Sequence, residues 1–248
     1  MKLNDKIAVV TGAASGIGQA TANAMAEAGG TVYLCDINEE GGEVNAKAIR
    51  DNGGQATFVR VDVTDDASIA DLAKQVDSEA GRLDVLANVA GWGKTVPFVD
   101  TEYDFWEKVV DLNLYGPIKM CKAFVPGMFE RKSGRIVNVA SDAGRVGSLG
   151  ETVYSGAKGG VIGFTKGLAR EGARNNVTVN CVCPGPTDTP LMAPVPEKIT
   201  EAFIRATPMR RLAKPEELAN AILFFASDRA SFCTGQVLSV SGGLTMHG

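Results

Sequence analysis

Tyr154 and Lys158 stand four residues apart, with Ser141 upstream. On a helix that spacing is one turn, so both side chains leave the same face. A phenol titrates near pH ~10, too high for a general base at neutral pH. A nearby ammonium favours the phenolate, lowers that value, and makes proton exchange with an alcohol practicable. Tyr-x-x-x-Lys occurs on helices by chance, so the pair carries weight only if the chain supplies something for it to act upon.

The elements that would position it are legible as an alternation. Ile7–Thr11, Thr31–Asp36, Ala56–Asp62, Asp84–Asn88, Arg135–Ser141, Val177–Cys183 and Gln236–Val240 are short, apolar and mostly rich in Val or Ile. Helical patterns over 17–28, 39–52, 66–80, 103–131, 152–174 and 215–227 separate most of them. Such alternation predicts an α/β fold, a doubly wound, mainly seven-stranded parallel sheet with helices on both faces. Uninterrupted apolar runs such as Ile7-Ala8-Val9-Val10 fit strands buried on both sides. No composition break or repeat divides the chain, so 1–248 is expected to be one domain. The longest irregular stretch follows Pro184, and residues 186–212 alone hold five prolines. Its length makes it a candidate lid over a substrate.

Composition excludes several functions. Hydrophobic residues make up 45% of 248, enough for a substantial core, and the formal net charge is -4. With no basic cluster interleaved with aromatics, nucleic acid is not an expected partner. The apolar run near the start, Ile7 to Val10, is too brief for a signal peptide or a membrane span. A soluble cytoplasmic protein is therefore expected, with no membrane partner. The five cysteines, Cys35, Cys121, Cys181, Cys183 and Cys233, are an odd number and read as reduced, mostly structural thiols. His247 is the one histidine, next to the last residue, so neither a Ser-His-Asp triad nor a multi-histidine metal site is expected. Proton chemistry falls to Tyr, Lys, Asp or Glu, with no metal.

The first strand runs directly into Gly12-Ala13-Ala14-Ser15-Gly16-Ile17-Gly18. Glycines there allow a tight turn and let backbone N–H groups approach a diphosphate at a helix N-terminus. The spacing Gly-x-x-x-Gly-x-Gly departs from the Gly-x-Gly-x-x-Gly dinucleotide fingerprint, but its place between strand and helix is the same. Asp36 ends the second strand, where an acidic residue can accept from both adenosine ribose hydroxyls and repel a 2′-phosphate. Ala14, Ser15, Ile37 and Asn38 offer no compensating base, so NAD is the expected cofactor. Asp62-Val63, after the third strand, could address the adenine.

Together these residues resemble the short-chain dehydrogenase/reductase family over essentially the whole length. The matching elements are Thr11-Gly-x-x-x-Gly-x-Gly18, Asp62-Val63, Asn88-Val89-Ala90-Gly91, Asn113, Ser141, Tyr154-x-x-x-Lys158 and Pro184-Gly185. Val89 departs from the second asparagine more usual in the family. The resemblance implies a Rossmann fold, with Tyr154 as acid/base and Lys158 lowering its pKa while binding the nicotinamide ribose. It implies that Ser141 bonds the substrate oxygen and that Asn113 holds a water in a proton relay. It further implies cofactor contacts from Asn88, Ala90, Gly91, Pro184, Gly185, Thr187 and Thr189, and a homotetramer built from paired helices. The residues from Gly156 to Gly172 alternate small with apolar side chains, as a close helix pairing would require.

The expected substrate is a compact, mostly apolar alcohol or ketone, walled by Trp92, Asp142, Val146, Leu149, Leu191, Met192 and Phe203. Segments 141–147, 182–189 and 235–246 look like bacterial dehydrogenases of alicyclic acyl thioesters, of the 2-hydroxycyclohexanecarboxyl-CoA type. A CoA ester would need cations for its phosphates, which Arg205, Arg210, Arg211 and Lys214 could supply. A 3-oxoacyl thioester reductase, ordinarily favouring NADPH, and a catalytically idle NAD-binding sensor are the alternatives.

Overall fold

The computed structural model describes residues 1–246; His247 lies outside the described residues. Seven strands, β1 (Ile7–Thr11), β2 (Thr31–Asp36), β3 (Gln55–Arg60), β4 (Val85–Asn88), β5 (Gly134–Val139), β6 (Val177–Pro184) and β7 (Val237–Val240), make one sheet. Its order is β3-β2-β1-β4-β5-β6-β7 and every pair is parallel. The chain starts mid-sheet, builds outward to β3, then returns to lay β4 on the other side of β1. That reversal opens a crevice beyond the carboxyl ends of β1 and β4.

The connecting helices are α1 (Gly16–Glu27), α2 (Glu39–Asp51), α3 (Asp66–Ala80), α4 (Tyr103–Val110), α5 (Gly116–Arg131), α6 (Ala143–Val146), α7 (Thr152–Gly172), α8 (Glu197–Ala206) and α9 (Pro215–Ala226). Strand alternation sends neighbours to opposite faces. Val10, Leu34, Val137 and Val182 pack with Met25 of α1 and Leu218 and Ile222 of α9. Val9, Tyr33, Leu86, Ile136 and Val179 pack with Leu72 of α3 and Met120, Phe124 and Met128 of α5. Both faces of the sheet are thus apolar, which is why the strands read as continuous rather than alternating hydrophobic runs. Caps set the helix starts: Asn38 accepts from the Gly41 N–H and Asp65 from the Ala67 N–H.

Two expectations need correction. The helix predicted over 103–131 keeps its course but widens into a π turn at Asp111–Tyr115, between α4 and α5. Such turns cluster at functional sites, and this one carries Asn113, which is fully buried. The segment 186–212 is not wholly irregular. Once past Pro196 the chain forms α8, whose acidic and basic residues Glu197, Glu201 and Arg205 are exposed while Phe203 and Ile204 are half-buried. Predicted ends also shift: β3 and β5 stop before Asp62 and Ser141, which leave the ladder at the crevice edge.

A buried polar chain crosses the middle of the sheet. Asn88 on β4 donates to Asn138 Oδ1 on β5 at 2.9 Å, and Asn138 donates to Thr165 Oγ1 on α7 at 2.9 Å. All three residues are essentially inaccessible, so removing the middle member takes a strong partner from two polar groups in a medium that penalises the loss. Asn138→Ala is expected to cost about 2–3 kcal/mol, lowering the melting temperature by roughly 5–10 °C for a chain of this size. Calorimetry checks this, and an unchanged melting temperature would show that the chain of bonds adds nothing.

Candidate active site

The β1–α1 turn is shaped for close approach. Gly12 has φ +69°, and a Cβ there would lie 2.9 Å from Ala90 Cα; at Gly18 it would lie 2.0 Å from the Gly12 carbonyl oxygen. Side chains at these positions would push β1, β4 and α1 apart. Ser15 is the N-cap of α1, with extended backbone and no capping bond from its side chain, and the first turn contains no acid. The free N–H groups and positive helix end are therefore left for an anion. They open on a cleft of about 660 Å³ lined by Gly12, Ser15, Gly16, Ile17 and Gly18.

Asp36 and Asp62 line the same cleft at the ends of β2 and β3. Asp36 Oδ2 accepts from Ala14 N at 3.0 Å and Oδ1 from Asn38 N at 2.9 Å. These bonds fix the carboxylate while leaving each oxygen further acceptor capacity, which suits the two hydroxyls of a ribose. Asp62 accepts from both the N–H and the hydroxyl of Thr64, and those bonds hold its carboxyl below the usual carboxylate range. Val63, Ala90, Gly91 and Thr189 complete the matches between expected cofactor positions and the cleft wall. The glycine cradle, the free N–H groups of the helix end and the Asp36 carboxylate fit a dinucleotide.

None of the four expected catalytic residues lines this cleft itself; they gather behind its wall at Gly91. Tyr154 and Lys158 lie on α7, Ser141 follows β5, and Asn113 sits in the π turn. Ser141 stands near enough to the Tyr154 hydroxyl to favour its phenolate. Lys158 Nζ lies 5.7 Å from the Tyr154 ring centroid and donates to the Val139 carbonyl at 2.9 Å. A Cβ on Gly91 would stand 3.0 Å from Asn113 Oδ1 and 3.2 Å from Lys158 Nζ, so the cleft wall directly abuts both. Asn113 accepts from Trp92 N at 3.2 Å and donates to the carbonyls of Trp92 and Val109 at 2.6 and 2.9 Å.

The proton energetics depart from expectation. Burial pushes the Tyr154 phenol well above its ordinary range, helped by the Glu151 carboxylate and opposed by Ser141. Burial likewise holds Lys158 down, at about 8. The ammonium does not outweigh desolvation of the phenol, so Tyr154 keeps its proton at neutral pH. As it stands, the arrangement is a proton donor for a carbonyl oxygen.

Other expected positions fall elsewhere. Asn88 is not on the cleft wall; its amide binds Asn138 and Cys121 Sγ inside the sheet. Pro184, Gly185 and Thr187 also lie off the wall, with the Thr187 hydroxyl bonded to the Gly185 carbonyl at 2.9 Å. Pro184 is nevertheless close to Ser141, since its carbonyl accepts from Asp142 N at 3.0 Å. Asp142 is not a pocket wall: its carboxylate is buried against the Ser239 hydroxyl of β7. Val146 and Leu149 are exposed, whereas Trp92 and Leu191 do line the cleft.

The basic cluster is largely engaged, Arg205 by Glu201 and Arg211 by both oxygens of Glu217. Cys181 and Cys183 are buried side by side against Val161 and Ala140. Lys108, Asp111 and Leu112 line the cleft without having been singled out in the sequence. Leu112 directly precedes Asn113, which was the available signal; Lys108 had none.

Comparison with known proteins agrees with this geometry. Residues 12–245 match a family model described as enoyl-(acyl carrier protein) reductase. The chain is 43% identical to cis-4-hydroxycyclohexanecarboxylate dehydrogenase of Sinomonas cyclohexanicum, over 97% of each. It is 40% identical to the 3-oxoacyl-(acyl-carrier-protein) reductase FabG of Thermotoga maritima, over 99% of this chain and 100% of that one. A solved structure from Agrobacterium tumefaciens, described as a candidate gluconate dehydrogenase, superposes with a TM-score of 0.95 at 27% identity, covering 99% and 98% of the two chains. With the glycine turn, the Tyr154–Lys158 pair and the switch-point cleft in one sheet, the chain belongs to the short-chain dehydrogenase/reductase family of oxidoreductases.

Proposed function

We propose that the chain is an NAD-dependent oxidoreductase interconverting a secondary alcohol and a ketone, with a cyclic hydroxycarboxylate as the substrate class. The observation that carries it is the junction of a nucleotide-shaped cleft with the Ser141–Tyr154–Lys158–Asn113 cluster at Gly91. Bound NAD supplies the hydride acceptor or donor. The chain's own part is to hold it and to manage the proton. Ser15 to Gly18 take the diphosphate and Asp36 the adenosine ribose, with no base beside Asp36 in 37–38 or the turn to welcome a 2′-phosphate.

Tyr154 gives its proton to the ketone oxygen in reduction and recovers it in oxidation; Ser141 bonds the same oxygen. Lys158 keeps a positive charge near the phenolate left after proton transfer. Asn113 holds the backbone of Trp92 and, with it, the rim of the site. Residues 186–212, through Leu191 and Thr189 on the cleft wall, act as the lid. Support for a ring substrate comes from the 43% relative, named for a hydroxycyclohexanecarboxylate.

A second reading, reduction of a 3-oxoacyl thioester, draws on the 40% relative. The engaged state of Arg205 and Arg211 counts against a phosphate-bearing carrier at the loop. Cytoplasmic location is proposed on the five free thiols. A homotetramer is proposed on the exposed face of α7, where a Cβ on Gly156, Gly163 or Gly167 would meet nothing within 4 Å.

Oxidation of cyclic hydroxycarboxylates with NAD against reduction of 3-oxoacyl thioesters with NADPH is the deciding assay. Tyr154→Phe is expected to lower kcat by about 10²–10⁴, with NAD affinity changed far less; wild-type turnover would overturn the proton assignment. Asp36→Ala should erode the preference for NAD over NADP by roughly tenfold or more. An unaltered ratio of kcat/KM for the two cofactors would show that the carboxylate does not discriminate.

Lys158 links burial to pH. Its folded value of about 8 lies below the ordinary 10.5, so the unfolded chain binds the extra proton between those values and stability rises with pH across that window. The cost is fully present below about pH 8. Lys158→Met should therefore gain most over wild type, in melting temperature, below that pH, and the gap should close towards 10.5. A gap independent of pH would contradict the buried-charge account.

A further inference from the structure

We propose that Lys108 is the substrate-recognition residue of this site, binding the carboxylate of an anionic alcohol or ketone. The proposal rests on the oxidoreductase reading above and adds to it the group that selects the substrate.

Lys108 lies on α4 and lines the cleft, where it is the one Lys or Arg among the described residues. Its position is set by a chain of contacts that begins at the catalytic end. Asn113 grips both the N–H and the carbonyl of Trp92, which fixes the residue next to Gly91. The indole is held edge-on by Phe105, at 5.9 Å between centroids. The Lys108 ammonium then sits 4.6 Å from the Trp92 ring centroid, within the range of a cation–π contact. No ion pair engages it among the described residues. Asp111, one turn on along the same wall, forms no ion pair with it among the described residues.

The acids of the cleft divide by location. Asp36 ends β2 and Asp62 follows β3, whereas Asp111 shares the wall of Lys108. Lys108 stands over Trp92, and Leu191 lines the same cleft. An aromatic wall carrying a cation, in a cleft that also holds an aliphatic side chain, suits a compact apolar ring that ends in a carboxylate. The ring would lie against Trp92 and Leu191, and the anion would meet the ammonium. A neutral ring alcohol would gain only the apolar part.

The cation contact is loose enough for the lysine to turn from the indole to an incoming anion, since three N–H donors remain for it. Lys94 is the other cation in this region. It lies beyond Gly93, in a crevice shared with Tyr154 and Phe105, and provides a natural control.

The test is calorimetric titration of the NAD-loaded protein with cyclohexanecarboxylate, and separately with cyclohexanol. For Lys108→Gln, carboxylate binding should weaken by roughly tenfold or more, the range expected for a lost charge-assisted hydrogen bond. Lys108→Arg should restore most of it, and the cyclohexanol titration should change far less. Titration of each variant with NAD separates the other anion in the cleft. If Lys108→Gln weakens NAD rather than the carboxylate, the lysine serves the cofactor diphosphate and the proposal is overturned. Equal carboxylate binding by wild type and Lys108→Gln, no carboxylate binding to wild type, or a selective loss in Lys94→Gln instead would also overturn it. The oxidoreductase reading fails on different evidence, namely absence of NAD-linked turnover of any alcohol by the wild-type protein.

Discussion

The pairing of β4, β5 and β6 with α7 is the constraint on which the rest depends. Parallel strands buried on both faces can be held in register by apolar packing alone, yet here Asn88, Asn138 and Thr165 add a line of directional bonds through the core. Buried polar groups tolerate little misplacement, because a slipped register would leave them unpaired. Thr165 is two helical turns from Lys158, so fixing Thr165 also fixes the rotation of α7 about its axis. Tyr154 and Lys158 then face Ser141 at the end of β5 and Gly91 beyond β4.

Burial that secures this geometry also sets its electrostatics. Lys158 is 2% exposed and has one acceptor among the described residues, the Val139 carbonyl. Its charge is costly there, as is the phenolate of Tyr154. A protonated phenol beside a partly destabilised ammonium is poised to give a proton to a carbonyl oxygen.

Much of the fold and part of the site were legible in the chain. Seven apolar strands and their alternation with helices gave the parallel sheet, because burial on both faces demands that composition. Gly12 and Gly18 were readable because a strand-to-helix turn at close quarters has few solutions, and Asp36 because it ends β2. The π turn was not legible, since Asp111 to Tyr115 carry a continuous helical pattern. The short helix α6 and the helix α8 were hidden by length and by the prolines around them. Asp142 looked like a pocket wall from its neighbour Ser141, but the approach of β7 turned its carboxylate to Ser239.

The sequence by itself determined which groups were available: a tyrosine and lysine one turn apart, a glycine turn, an acid at the end of β2, and no histidine save one next to the last residue. Local periodicity and residue chemistry are encoded within a few positions, so they survive without coordinates. Tertiary structure decided which groups face each other across 50 or 70 residues of chain. It left Asn88 inside the sheet, brought Gly91 against Asn113 and Lys158, and set Lys108 over Trp92. It also decided the sign of the tyrosine shift, because desolvation depends on everything packed around a group and not on its neighbour one turn away.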